Sequence, residues 1–432
     1  MADGMVDLAS LIQIGVDVTA YATGPVRLKL DAQSRGVKMI GADLDADFKT
    51  TTMVLPGSLW TKPEGEAGHA TARVTTQDTG GWAVNQLAFD AKGADVRGDL
   101  AFSEKLDLVA ADFSRIAIAR AADMVLQISE DANGLKVSAK GEFLDLIPFL
   151  IKRDVTERTV DLLDRPLNLS ASFKRLATGQ SAALDNVEAS ILRDQDGWRS
   201  LTMTGNSPTG QTQVVMSQQQ DGRRNIVGTL SDAGFFAGLI YPGAPLAGGT
   251  GTIEGELPVV GADSAGTLTL EVKGVSYAPS KQNPILFDLV RLPMTVNGGI
   301  IALRDGKADG AAYTVKASGY VDLEDGKLDI RGVATPGGLN RALGEMPLFG
   351  SLLGGGQDEG LVGLTFTAQG SLANPKLRTN PISALAPGFL RKLFESQAPL
   401  EPPPRLKSPP VPSVPAPSEP LSEAVALETP QS

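Results

Sequence analysis

The stretch from Leu361 to Phe394, LVGLTFTAQG-SLANPKLRT-NPISALAPGFLRKLF, decides the fold class. In its first part, Leu364, Phe366 and Ala368 alternate with polar residues. A period of two is typical of a β-strand with one apolar face. Asn374-Pro375 predicts a turn before a second short strand. The stretch therefore predicts neighbouring strands that bury or shelter one face and expose the other.

The same alternation recurs along most of the chain, separated by glycine-rich or charged turns. Its apolar residues in three well-defined strands are Leu268, Leu270, Val272, Tyr313, Val315, Ala317, Leu364, Phe366 and Ala368. Many strands with one apolar parity predict a mainly β protein with a long, mostly antiparallel curved sheet. Aromatic residues make up only 5% of the chain, and the apolar positions are often Ala, Val or Leu. Composition leaves two arrangements open for this sheet: a dry sandwich or solenoid core, and an apolar groove that is open to a ligand.

Short apolar segments interrupt the strands and predict a few amphipathic helices. They are Phe143 to Arg153, Ala233 to Tyr241 after a capping Asp232, Asn283 to Val290, and Gly338 to Leu353. Two of them carry enough apolar residues to plug or cap the groove, or to pack on the sheet. These residues are Phe235, Phe236, Leu239 and Ile240 in one, and Ile285, Leu286, Leu289 and Val290 in the other.

The C-terminal part divides into a short helix and a tail. Asn380 can cap a helix that starts with Pro381. Its apolar stripe, formed by Phe389, Leu390, Leu393 and Phe394, is a candidate contact for a membrane or a partner, or caps the last strand. Residues 396–432 are rich in proline, which predicts a disordered or polyproline tail. We expect a lead-in over residues 1–20, truncated if the gene is longer, and an elongated β region over residues 20–395.

Composition excludes several classes of function. The net charge of −11 and the absence of basic clusters argue against nucleic-acid binding, because nucleic acid is itself an anion. There is no cysteine, and His69 is the only histidine, so thiolate and multi-histidine metal sites are excluded. Asp43, Asp45 and Asp47 alternate along a strand and lack the glycine and glutamate of a calcium loop, so we interpret them as a solvated face. We find no catalytic motif and predict neither an enzyme nor a bound cofactor.

The N-terminal region has no targeting signal that we can identify. It lacks a basic segment before an apolar core, and no run of 18 apolar residues occurs in the chain. These features fit a cytosolic protein, or a chain whose start lies inside a longer gene with a membrane anchor upstream.

Several short motifs resemble a known family. They are Gly360–Phe366, Asn374-Pro375 and Asn380–Arg391, with Asp232-Ala233-Gly234, Gly248-Gly249-Thr250 and Trp60–Gly65 further upstream. Their order is similar to the C-terminal region of AsmA-like proteins of the alphaproteobacterial type, related to the TamB and YhdP group. The resemblance spans residues 20–395 and implies that they form an open apolar β-groove in the periplasm. It also implies an anchor in the inner membrane and a groove that lets phospholipid pass between the inner and outer membranes of a Gram-negative envelope.

Three hypotheses about function remain open at this stage. The first is non-enzymatic lipid transfer through the groove. The second is a structural or assembly factor for outer-membrane proteins that binds partner strands at a sheet edge. The third, an enzyme of a carbohydrate-binding β class, would need clustered carboxylates and aromatic residues, and we identify none.

Overall fold

A computed structural model of the chain describes most of its first 380 residues. The described ranges are 1–14, 18–35, 38–55, 58–77, 80–150, 166–179, 182–195, 197–241, 244–259, 265–278, 284–323, 325–336, 364–372 and 375–380. The predicted helix from Gly338 to Leu353, the stripe of Phe389, Leu390, Leu393 and Phe394, and the tail from residue 396 lie outside these ranges.

Strands form nearly all of the described structure. They are β1 (Ala2–Asp7), β2 (Ala22–Thr23), β3 (Pro25–Arg35), β4 (Lys38–Asp47), β5 (Thr52–Val54), β6 (Thr61–Lys62), β7 (Gly68–Thr76), β8 (Trp82–Ala91), β9 (Ala94–Phe102), β10 (Leu108–Ile118), β11 (Ala122–Asp131), β12 (Gly134–Asp145), β13 (Leu167–Ala177), β14 (Ala183–Arg193), β15 (Trp198–Ser207), β16 (Gly210–Gln218), β17 (Arg224–Leu230), β18 (Leu246–Leu257), β19 (Gly266–Tyr277), β20 (Ile285–Asn297), β21 (Ile300–Asp309), β22 (Tyr313–Asp322), β23 (Lys327–Pro336), β24 (Leu364–Ser371) and β25 (Lys376–Asn380). The described helices are a 3₁₀ helix (Leu8–Ile14), α1 (Ile147–Leu150) and α2 (Ala233–Ile240).

The fold is one large curved sheet that does not close into a barrel, as the sequence predicts. Twenty-two of the described strands belong to it, and β2, β5 and β6 form a small second sheet. From β3 onward, each strand of the large sheet pairs with the next one along the chain, and β1 pairs with β3. The pairs are antiparallel except β12 with β13, which run parallel. Short turns and alternating side chains explain this order, because an antiparallel hairpin needs only a few connecting residues.

The three strands predicted around Leu268, Val315 and Phe366 are confirmed as β19, β22 and β24. Asn133-Gly134, a dipeptide typical of hairpin turns, joins β11 to β12. The predicted helix from Asn283 to Val290 is wrong, because Ile285–Asn297 form β20, in register with β19. A short apolar run fits a helix and a strand equally well, and pairing with β19 decides it. The residues Ile285, Leu286, Leu289 and Val290 are therefore strand residues and cannot form a helical plug.

Two other segments differ from the prediction. The apolar residues from Met294 to Leu303 suit a single strand, but Gly298-Gly299 turns the chain between β20 and β21, with φ of 52° and 78°. Positive φ favours glycine, so this pair supplies the hairpin turn. The helix predicted to begin at Phe143 begins only at Ile147, as α1, because the residues from Phe143 to Asp145 belong to β12.

A buried lysine holds the small sheet against the large one. The side chain of Lys62 is 1% exposed. Its Nζ donates to the carbonyl oxygens of Phe48 at 2.5 Å, Thr51 at 2.8 Å and Pro63 at 3.4 Å. Burial lowers the pKa of Lys62 from its usual value. These carbonyls satisfy the ammonium group, which would otherwise be costly to bury.

Replacement of Lys62 by methionine is expected to lower the free energy of unfolding by about 2–4 kcal/mol, because buried carbonyls lose their donor. Urea unfolding followed by circular dichroism measures this loss. Lys49→Met, on an exposed side chain, is the control and should change stability by no more than about 0.5 kcal/mol. Equal effects of the two substitutions would contradict a structural role for the Lys62 ammonium group.

Candidate functional site

An apolar band crosses the sheet from β3 to β25. It is the row of residues that pair directly with one another from strand to strand. Its members, one per strand, are Ala32, Ala42, Val74, Val84, Leu100, Ala111, Ile128, Val137, Leu169, Ile191, Leu201, Met216, Ile226, Gly255, Leu268, Met294, Leu303, Gly319, Ile330, Ala368 and Leu377. Every member is apolar or glycine, so no polar residue interrupts the band.

Directly paired residues point to the same side of a sheet, so the band marks one continuous face, which we call the apolar face. Neighbouring strands are about 4.8 Å apart, and the band therefore runs for roughly 100 Å along the curved sheet. The alternation of apolar and polar residues within a strand depends only on the sequence of that strand. The alignment of the apolar residues across many strands depends on the register in which the strands pair.

The nine apolar residues singled out in the sequence all lie on the apolar face. Val272, Val315 and Leu364 belong to one row of paired residues, which runs through Val290, Ala308 and Ala334. Leu268 and Ala368 are members of the band itself. The remaining four, Leu270, Tyr313, Ala317 and Phe366, follow from the alternation within the same three strands. Band members such as Met294 and Ile330 were not among the predicted residues, although they show the same alternation within their strands.

The opposite face of the sheet is polar and carries cross-strand ion pairs. Arg73 pairs with Asp43 at 2.7 Å, and Arg291 pairs with Glu271 at 2.7 Å. Hydrogen bonds from these guanidinium groups lower the pKa of Asp43 and of Glu271. All four side chains are substantially exposed, so the pairs keep this face hydrated and add little stability.

The apolar face is packed in its N-terminal part and less buried in its C-terminal part. Four clusters of buried residues form most of the core of the described structure, and all of their members precede residue 241. Buried apolar residues also occur later in the chain, at Val272, Val275, Ile300, Ala302 and Leu328. In β18–β25, the large apolar side chains on this face are mostly half-buried; examples are Leu268, Leu303, Ile330 and Phe366. Within the described ranges, the apolar face of β18–β25 therefore keeps accessible apolar surface.

Helix α2 covers one part of the apolar face. Phe235 is fully buried, and Phe236 and Leu239 pack beside it on residues of β11–β15. Ile240 points outward, with 48% of its surface exposed. The helix lies so close to β18 that a Cβ atom at position 234 would be only 2.8 Å from the Cα of Ala247, which explains the glycine there. Of the two roles considered for this helix, the structure therefore shows packing on the sheet.

The start of α2 is fixed by Asp232, as predicted. Its Oδ1 accepts a hydrogen bond from the backbone N–H of Phe235 at 3.2 Å. Burial raises the pKa of Asp232, although hydrogen bonds from the N–H groups of Phe235, Gly234 and Gly248 oppose the rise. Asp145 caps α1 in a similar way, and burial also raises its pKa.

The raised pKa of Asp232 predicts a pH dependence of stability. Its contribution is fully present below the unfolded value of 3.8 and is lost as the pH rises through the folded pKa. Asp232→Asn removes this titration. The unfolding free energy of the variant relative to the natural chain should therefore rise between pH 3 and pH 7, by about 1.4 kcal/mol per unit of pKa difference. Urea unfolding across this range measures it, and a difference that does not change with pH would contradict the prediction.

The polar residues considered as candidate ligands lie on the polar face. His69 is exposed, and its Nε2 is 3.2 Å from Oδ2 of Asp45. Together with Arg27, Lys29 and Asp90 they line a shallow depression of mixed charge. Among the described residues, no three His, Asp or Glu side chains converge closely enough to hold a metal ion. No helix in the described ranges is long and apolar enough to cross a membrane.

The apolar face can bind hydrocarbon without any reacting group. A half-buried row of aliphatic side chains offers contact area but no directional partner, so it suits ligands whose chains vary in length and position. Comparisons of the chain with protein-family models, with curated proteins and with solved structures found no match.

Proposed function

We propose that this chain shelters the acyl chains of phospholipids or other lipids during non-enzymatic transfer between the two membranes of a Gram-negative envelope. The observation that carries this proposal is the uninterrupted apolar band. The resemblance to AsmA-like proteins supports the same function. It also implies a periplasmic location and, in full-length members of that family, an anchor in the inner membrane. A membrane at one or both ends would then supply and accept the lipid.

Each methylene costs about 0.8 kcal/mol to expose to water, and a phospholipid carries on the order of 30 of them. An apolar face that continues from strand to strand removes most of this cost at each position. Because no position binds much more tightly than the next, lipid can move along the band. The headgroup remains in water at the open side of the curved sheet.

Photo-crosslinking tests the proposal directly. A photoreactive amino acid at Val315 or Phe366, on the apolar face, is expected to label acyl chains when the protein is purified with its lipids. The same amino acid at Lys316, the exposed neighbour of Val315 on the polar face, is the control and should give no lipid adduct. Mass spectrometry of the adducts and of solvent extracts identifies the lipid. Absence of adducts at both apolar positions, with no phospholipid in the extract, would exclude the proposed function.

A second candidate function is strand addition at a sheet edge, as in an assembly factor for outer-membrane proteins. Within the described residues, β25 pairs only with β24, and Leu377 of this strand is 61% exposed. An unpaired edge can accept a strand from another protein. A photoreactive amino acid at Leu377 distinguishes the two functions, because adducts with an envelope protein, and none with lipid at Val315, would favour the assembly role.

A further inference from the structure

Two arginines interrupt the apolar face beside the band, on strands β14 and β17. Arg193 lies two residues beyond the band member Ile191, and Arg224 lies two residues before Ile226. Residues two apart in a strand share a face, and these two positions lie toward the same ends of their strands. Arg193 also pairs across the sheet with Trp198, and its Cζ lies 5.9 Å from the centre of the Trp198 ring. Guanidinium groups therefore border hydrocarbon-like surface at this one rim.

Arg224 is held in place by backbone carbonyls. Its Nη1 donates to the carbonyl of Trp198 at 3.3 Å, and its Nη2 donates to the carbonyl of Pro258 at 2.8 Å. Its Nε is buried and has no acceptor. The side chain therefore spans from β15 to the end of β18 and keeps a fixed orientation.

No described carboxylate neutralises Arg224. Burial and the nearby charge of Arg199 lower the pKa of Arg224, and no acidic group among the described residues opposes them. Arg199 itself forms an ion pair with Asp194. A partly buried cation without a counter-ion is costly to desolvate, and a bound anion would offset that cost. Arginine suits phosphate in particular, since its planar fork presents parallel N–H donors.

We propose that Arg224, assisted by Arg193, binds the phosphate group of an amphiphile whose hydrocarbon lies on the adjacent part of the apolar band. Each arginine lies two residues, or about 7 Å, from the nearest band member on its strand. A phospholipid could therefore place its phosphate at the arginines and its first methylenes on the band, because these groups are adjacent in the lipid. This inference rests on the proposed function for the source of the phosphate. It adds a headgroup preference that a plain apolar groove would lack.

The test compares two lipids with the same acyl chains. Dioleoyl phosphatidic acid carries the phosphate, and dioleoylglycerol lacks it. Tryptophan fluorescence, to which Trp198 contributes, reports binding. The natural chain is expected to bind phosphatidic acid about tenfold more tightly than dioleoylglycerol. Arg224→Gln should weaken phosphatidic acid binding about tenfold and leave dioleoylglycerol binding unchanged. The control Arg291→Gln, on the polar face, should change neither affinity.

The outcomes separate this inference from the proposed function. Equal affinities for the two lipids, or an equal loss of both in Arg224→Gln, would overturn the phosphate site while acyl-chain binding stands. Binding of neither lipid would remove the proposed function. In that case, titration with inorganic phosphate decides the site: binding that depends on Arg224 assigns it to free phosphate, and absence of binding overturns it. If thermal unfolding shows that Arg224→Gln does not fold, Arg193→Gln replaces it in every comparison, with the same expectations.

Discussion

Replacement of Phe235 by alanine is expected to lower the free energy of unfolding by about 3–5 kcal/mol. Phe235 is fully buried beneath α2, and its ring lies 5.3 Å from that of Phe236 in an edge-to-face arrangement. It is the helix's deepest contact with the buried cluster around Phe173 and Leu184. Truncation leaves a cavity that the strands cannot close, because their spacing is set by backbone hydrogen bonds. Urea unfolding followed by circular dichroism measures the loss.

Val227→Ala is the matched control for the Phe235 substitution. Val227 lies in β17, a few residues before α2, and 53% of its surface is exposed on the polar face. We expect this variant to lose no more than about 0.5 kcal/mol. If Phe235→Ala lost no more than the control, α2 would not be anchored by this core, and its packing on the apolar face would need another explanation.

A carboxylate on the accessible part of the apolar face is expected to reduce acyl-chain binding at least about tenfold, because hydrocarbon placed over it would strip water from a charge. Val315→Asp is the substitution, since Val315 is half-buried and pairs with Ala308 and Ala334. A fluorescent fatty acid and the amount of phospholipid that co-purifies with the protein measure binding. We expect the variant to fold, because the partly exposed side chain can keep its carboxylate hydrated.

Lys316→Asp places the same carboxylate one residue along β22, on the polar face. Its cross-strand neighbour there is Lys307, so the new charge meets an opposite one. Lipid binding should remain within about twofold of the natural chain, since charges that stay in water alter contacts little. Equal loss of binding in both variants would show that net charge, and not the apolar face, governs lipid contact.

Local patterns in the sequence predicted some elements well. Asp232 followed by an apolar segment predicted α2, because an aspartate cap and a continuous apolar run act within a single turn of helix. The segment from Ile285 to Val290 looked equally helical and is a strand. What distinguishes the two segments is a contact with a distant part of the chain: Phe287 and Ile285 of β20 pair with Val275 and Tyr277 of β19. Propensity over so few residues is too weak to oppose a row of backbone hydrogen bonds.

Local patterns also predict only part of the candidate site. Leu268, Val315 and Phe366 were chosen by parity, and they lie on one face. Arg193 and Arg224 occupy apolar-parity positions near strand ends, so the same alternation places them on the apolar face. That they share a rim follows only from the register of β14–β17, together with the Trp198 carbonyl that holds Arg224.

By itself, the sequence determined that this chain forms strands with one apolar and one polar face, because side-chain direction alternates within each strand whatever its neighbours are. Only the tertiary structure decided that the apolar residues of β3 to β25 align into one uninterrupted band. It also decided that α2 packs over the region around Phe235 and that β18–β25 keep half-buried apolar side chains. Register and coverage depend on contacts between residues far apart in the chain, and no local period contains them.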